Sequence, residues 1–117
     1  MENMTVTGAS GAIYNFGIYQ MSDNWNPVPV IYIFAHRMPL FWKALYVGES
    51  ENAKDRFCTH ERWNEAVRLG ATHVLALVSS ANQADRQRVE RDLIGSLCPP
   101  MNVQHQSSTL LTSLLRA

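Results

Sequence analysis

The chain has 117 residues, enough for one domain with its own core and too few for two. Hydrophobic residues make up 46% of it and charged residues 17%, which excludes a disordered or solvating segment. Ten basic residues balance ten acidic ones, so any nucleic-acid binding must come from local clustering rather than from bulk charge.

Residues 1–11, MENMTVTGASG, are small and polar and are expected to be a flexible N-terminus. They have neither the basic flank nor the apolar block of a signal peptide, so a soluble, cytoplasmic protein is expected. AIYNFGIYQM alternates loosely and reads as an accessory strand or hairpin arm. SDNWNPVP then breaks the chain with Asp, Asn and two prolines. VIYIFA, residues 30–35, is β-branched and aromatic, as a buried strand requires. HRMPLF reads as a loop and WKALYVG as the strand returning from it.

After Gly48, ESENAKDRFCTHERWNEAVRLG is helical in composition, with Gly70 as its C-terminal stop. THVLALVS makes a third strand, and its aliphatic run VLALV is too short to span a bilayer. SANQADRQRVERDLIGSLCPP is a longer helix, capped by Ser79 or Ser80 and ended by Pro99-Pro100. Leucines at 110, 111, 114 and 115 give the tail over 105–117 the stripe of one short docking helix. The order β-β-α-β-α predicts an α/β (α+β) domain over 12–104. It would have a small, mostly antiparallel three-stranded sheet flanked by helices, with the accessory N-terminal element beside it.

Several residues suit chemistry, each with a plainer alternative. Arg56 and His60 are four apart, so one helix would present both on one face, either as exposed polar surface or as a site beside the strand ending at Gly48. Glu90 flanks an apolar stripe of Val89, Leu93, Ile94 and Leu97. An acid there is a rim residue with its head in water or a ligand pointed into a cleft. Asn102 follows two prolines, where asparagine is also common turn chemistry. Tyr32 and Tyr46 fall in strands, where aromatic residues usually serve the core. Cys58 and Cys98 are too far apart for a CxxC motif, and His36, His73 and His105 lack metal-ligand spacing.

Taken in order, VIY (30–32), YVG (46–48), RFCTH (56–60), VERDLI (89–94) and PPMN (99–102) resemble the GIY-YIG endonuclease family. That family's pattern is a GIY strand, a YIG strand, Arg and His on the next helix, a later helical Glu, then Asn. The match covers residues 29 to 104, and its specificity lies in the ordered set rather than in any one element. A literal GIY stands at 17–19, but a whole strand separates Tyr19 from YVG, whereas VIYIFA precedes it by one loop. Tyr19 is therefore expected to be structural. Val30 stands where the family has glycine, a departure that removes no reactive side chain.

The resemblance implies hydrolysis of a DNA phosphodiester with one divalent cation, Mg2+ or another such as Mn2+. Glu90 would be the metal ligand, with water and phosphate oxygens completing the shell. Arg56 would face the phosphate. Tyr32 would activate the attacking water and Tyr46 position it. His60 would accept or relay the proton, and Asn102 would hold the site's backbone or a tyrosine in place. An ordinary tyrosine titrates near about 10, so a tyrosine base needs a cation or proton acceptor beside it. DNA is the implied partner, with a homodimer or protein partner supplying targeting and no membrane. The alternative is a non-catalytic nucleic-acid-binding or partner-binding module that retains the fold.

Overall fold

Five strands form one sheet in a computed structural model of the chain, which describes residues 2–102. The elements run β1 (Asn3–Thr7), β2 (Ile13–Gln20), β3 (Val30–Arg37), β4 (Trp42–Ser50), α1 (Ala53–Cys58), α2 (Trp63–Arg68), β5 (His73–Val78) and α3 (Gln83–Leu97). The strand order is β1-β2-β5-β3-β4, and every neighbouring pair is antiparallel. The α+β class agrees with expectation; the three-stranded sheet does not. β2 is no accessory, because it pairs with β5 in the middle of the sheet and buries Phe16 completely. Within the segment expected to be a flexible N-terminus, Asn3–Thr7 form β1 and pair with β2. β1 is an edge strand in which only Met4 and Val6 pack inward, so its alternation is too short to stand out from small polar residues.

The turn after β1 is clasped to α3. Asp92 accepts hydrogen bonds from the Ser10 amide and hydroxyl, both at 2.8 Å, and from Tyr14 Oη at 2.7 Å. These contacts hold the carboxyl of Asp92 below its usual range and tie the first hairpin to the last helix.

The two sheet faces bury separate cores. Val30, Tyr32, Phe34, Val74 and Ala76 pack under Ala53, Phe57 and Ala66 of α1 and α2. Ile31, Ile33, Ala35, Val47 and Leu75 pack under Leu93 of α3. A shift of register between Phe34 and Ala35 breaks the strict alternation of β4. Consecutive residues Leu45 and Tyr46 therefore both reach the α1/α2 face, as a bulge allows. Val30 is 1% exposed and fills the end of that core, which explains why a large side chain stands there.

The helix expected over 49–70 is two short helices. α1 ends as Thr59 Oγ1 bonds back to the Asp55 carbonyl, and the chain turns at Thr59–His60 before α2 begins. Gly70 does end the pair, at φ +103, where a side chain would be strained. α3 starts later than expected: Asn82, not Ser79 or Ser80, caps it through Oδ1 to the Asp85 amide. The tail over 105–117, with its expected docking helix, lies outside the described residues. No helix among the described residues is long and apolar enough to cross a membrane.

Candidate active site

β3 and β4 form a hairpin in which Tyr32 stands opposite Gly48 and Phe34 opposite Tyr46. The missing side chain at Gly48 leaves the room that the Tyr32 ring occupies: a β-carbon there would lie 2.5 Å from Tyr32 Cζ. Tyr32 is wholly buried, and its hydroxyl is the centre of a polar cluster inside the α1/α2 core.

His60 Nε2 lies 2.6 Å from Tyr32 Oη, and its other nitrogen, Nδ1, accepts the Arg62 backbone N–H at 3.0 Å. A neutral imidazole whose Nδ1 accepts must carry its proton on Nε2. In that tautomer His60 donates to Tyr32 Oη. Burial, and then the charge of Arg56, push His60 down to about 4, so the ring is neutral near pH 7. Arg56 Nε–H also points at Tyr32 Oη, at 3.4 Å. With two donors aimed at that oxygen, the hydroxyl's own proton is directed elsewhere. Burial still outweighs Arg56, so the phenol is raised above its ordinary value, and Tyr46 is raised by burial as well.

Tyr46 sits beside this cluster, half-buried. Its ring meets that of His60 edge-on at 5.5 Å and 89°, and the Arg62 guanidinium lies 5.6 Å from its centroid. Arg56 and His60 meet at Tyr32 although the helix expected to carry both has ended between them.

Glu90 comes from α3, which packs mainly against β4. It is close enough to both tyrosines for its charge to raise them. Burial, and then neighbouring Glu49, push its own carboxyl up to about 7. Glu49 already has a counter-charge, Arg86 Nε at 3.0 Å, in a pair whose side chains are 10% and 6% exposed. Glu90 is in no ion pair among the described residues. A half-buried carboxyl without a cation fits a hard-metal ligand. Among the described residues no three His, Cys, Asp or Glu side chains cluster to hold a metal, so other ligands would be water and substrate oxygens.

Asn102 does hold backbone. Its Oδ1 accepts the Val47 amide at 2.8 Å and its Nδ2 donates to the Val47 carbonyl at 3.1 Å. β4 is an edge strand, so the side-chain amide takes the place of a further strand beside YVG.

Three neighbours had no signal in the sequence. Glu61 grips Arg56, with Oε2 2.7 Å from Nη1 and Oε1 3.0 Å from Nη2. Residues five apart do not face each other on a helix, so this pair exists only because α1 stops first. Arg62 acts on His60 through its backbone, and Glu49 acts on Glu90 through charge, neither of which spacing reveals. Compared with protein-family models, curated proteins and solved structures, the chain matches none.

Proposed function

We propose that the chain is a metal-dependent DNA endonuclease of the GIY-YIG type. The observation that carries this reading is the convergence of His60 and Arg56 on Tyr32 Oη, within reach of the charge of Glu90, a carboxyl with no ion pair among the described residues. The resemblance asks for these residue types in this order, and the meeting of Arg56 and His60 at Tyr32 supports it.

Glu90 would hold the divalent cation, Mg2+ or Mn2+, whose contribution when bound is to neutralise charge on the scissile phosphate. Arg56 binds a phosphate oxygen by exchanging Glu61 for the substrate, one anion for another. Exposure favours exchanging the roles expected for the tyrosines. A group that orients water must reach water, and Tyr32 is wholly buried whereas Tyr46 is half-buried. Tyr46 therefore orients the attacking water, and Tyr32, fixed by His60, sets the position of Arg56. Asn102 keeps Val47, and with it Tyr46 and Gly48, in place. DNA is held by basic residues of α1, α2 and α3 other than Arg86, which is buried against Glu49. Such binding weakens steeply as salt rises.

A second reading, a non-catalytic binding module on the same framework, is favoured by the closed state of Arg56, both of whose terminal nitrogens Glu61 occupies. A cleavage assay on plasmid, branched and single-stranded DNA, with magnesium and with chelator, separates the two. Cleavage with magnesium alone is expected, abolished by Glu90→Gln, with the variant still folded at the assay pH. Full cleavage by that variant would sink the role of Glu90. DNA binding without cleavage on any substrate would move the conclusion to the binding module.

A further inference from the structure

A cavity of about 380 Å³ opens on the α1/α2 face, beside the tyrosine cluster and not part of it. Its walls are aromatic. Trp25, from the connection between β2 and β3, meets Phe57 of α1 at 4.6 Å between centroids, and Phe57 meets Trp63 of α2 at 6.0 Å. Asp23 and Lys54 add one charge of each sign, and neither is in an ion pair among the described residues. The indole N–H of Trp25 is the one buried side-chain polar atom, among the described residues, that lacks a hydrogen-bond partner.

The volume is at the low end for ligand sites, room for one flat ring system and not for a helix or a duplex. Ring walls suit a π-face, Asp23 suits the polar edge of a heterocycle, and Lys54 suits an attached phosphate. Phe57 is shared with the candidate active site: its ring stands 4.9 Å from that of Tyr32, edge-on at 83°. Whatever fills the cavity is thus one ring away from the group that orders Arg56.

We propose that this cavity receives one unpaired nucleobase of the strand whose phosphodiester is cleaved. The inference rests on the endonuclease reading and adds a substrate class to it. A base inside a duplex enters only by leaving its stack, which is easiest where it is already unpaired. The substrate is therefore DNA with an unpaired nucleotide next to the break, or a single strand.

Cys58 lines the cavity and is exposed, and Cys98, at the end of α3, is exposed elsewhere. Together they provide a probe and its internal control. The wild-type chain, in chelator and low salt, is mixed with a short single-stranded oligonucleotide or an abasic strand of equal length. Maleimide alkylation of each cysteine is then followed by mass spectrometry. The base-bearing strand is expected to slow Cys58 roughly tenfold and to bind about tenfold more tightly than the abasic one, the worth of one stacked base. Cys98 should react at one rate throughout. Trp25→Ala, which removes one ring wall, should weaken the base-bearing strand alone. Equal protection of Cys58 by both strands, or binding of both without protection, overturns the proposal and leaves the endonuclease reading standing. Failure of either strand to bind at low salt overturns both.

Discussion

Gly48 matters for the atom it lacks. Tyr32 crosses it within the space a β-carbon would fill, so Gly48→Ala forces the buried ring away from His60 Nε2. The expected cost is about 1–3 kcal/mol by urea denaturation, the range for an overfilled core. Cleavage should fall further than stability explains, because Arg56 loses its anchor. Unchanged cleavage by a folded Ala variant would show that the Tyr32 hydroxyl is dispensable. The tyrosines themselves separate by what each removal leaves behind. Tyr32→Phe orphans the His60 Nε2–H and is expected to cost about 1–3 kcal/mol as well as activity. Tyr46→Phe removes a hydroxyl with no hydrogen bond among the described residues, so it should cost activity with little change in stability. Tyr19→Phe should change neither by much; an inactive Tyr19 variant beside an active Tyr32 variant would overturn the choice of VIY over the literal GIY. Residue types and their order singled out Tyr32, Tyr46, Arg56, His60, Glu90 and Asn102, and of these the fold brings Arg56 and His60 to the Tyr32 hydroxyl. Glu61 was not singled out, because its contact with Arg56 depends on where a helix stops.

β4 is the element on which the site depends most, and it is an edge. Asn102 supplies Val47 with both a donor and an acceptor, so Asn102→Ala removes two hydrogen bonds at once. Water can reach an exposed edge, which limits the expected loss to about 1–2 kcal/mol. The local consequence is sharper: amide exchange at Val47 should quicken well beyond that at Ile33, its partner within the sheet. Equal exchange in the wild type and the variant would show that Asn102 does not secure the strand. Strands with continuous apolar runs, β3 and β5, were legible because both faces are buried. β1 was not, since an edge strand needs only Met4 and Val6 to dock. The split between α1 and α2 was hidden for another reason. Composition counts helix formers, whereas the break arises from the Thr59 hydroxyl bonding back and from His60 turning into the core.

At the scale of the whole molecule, the site should be visible in how stability depends on pH. His60 titrates at about 4 in the folded chain against an ordinary 6.5, through burial and then Arg56 and Arg62, with Glu61 opposing. Between these values the unfolded chain binds more protons at this residue, so stability is present above 6.5 and is lost as pH falls towards 4. Glu90 titrates at about 7 against an ordinary 4.5, through burial and then Glu49 of β4, with Arg91 opposing. Here the folded chain binds more protons, so stability is present below 4.5 and is lost as pH rises through 7. Each slope is at most about 1.4 kcal/mol per pH unit, and over the shared window they oppose each other. Metal-free wild type should therefore be nearly level between pH 5 and 6.5. Glu90→Gln removes one slope, so its stability should climb over that interval. A divalent cation at Glu90 favours the charged carboxylate and should make the wild type climb in the same way. Urea midpoints at pH 5, 6.5 and 8, in chelator and in magnesium, measure all of these. Parallel profiles for wild type and Glu90→Gln in chelator would mean that Glu90 is not desolvated as described. A wild-type profile that magnesium leaves unchanged would separate Glu90 from the metal, and with it the endonuclease reading from its cation.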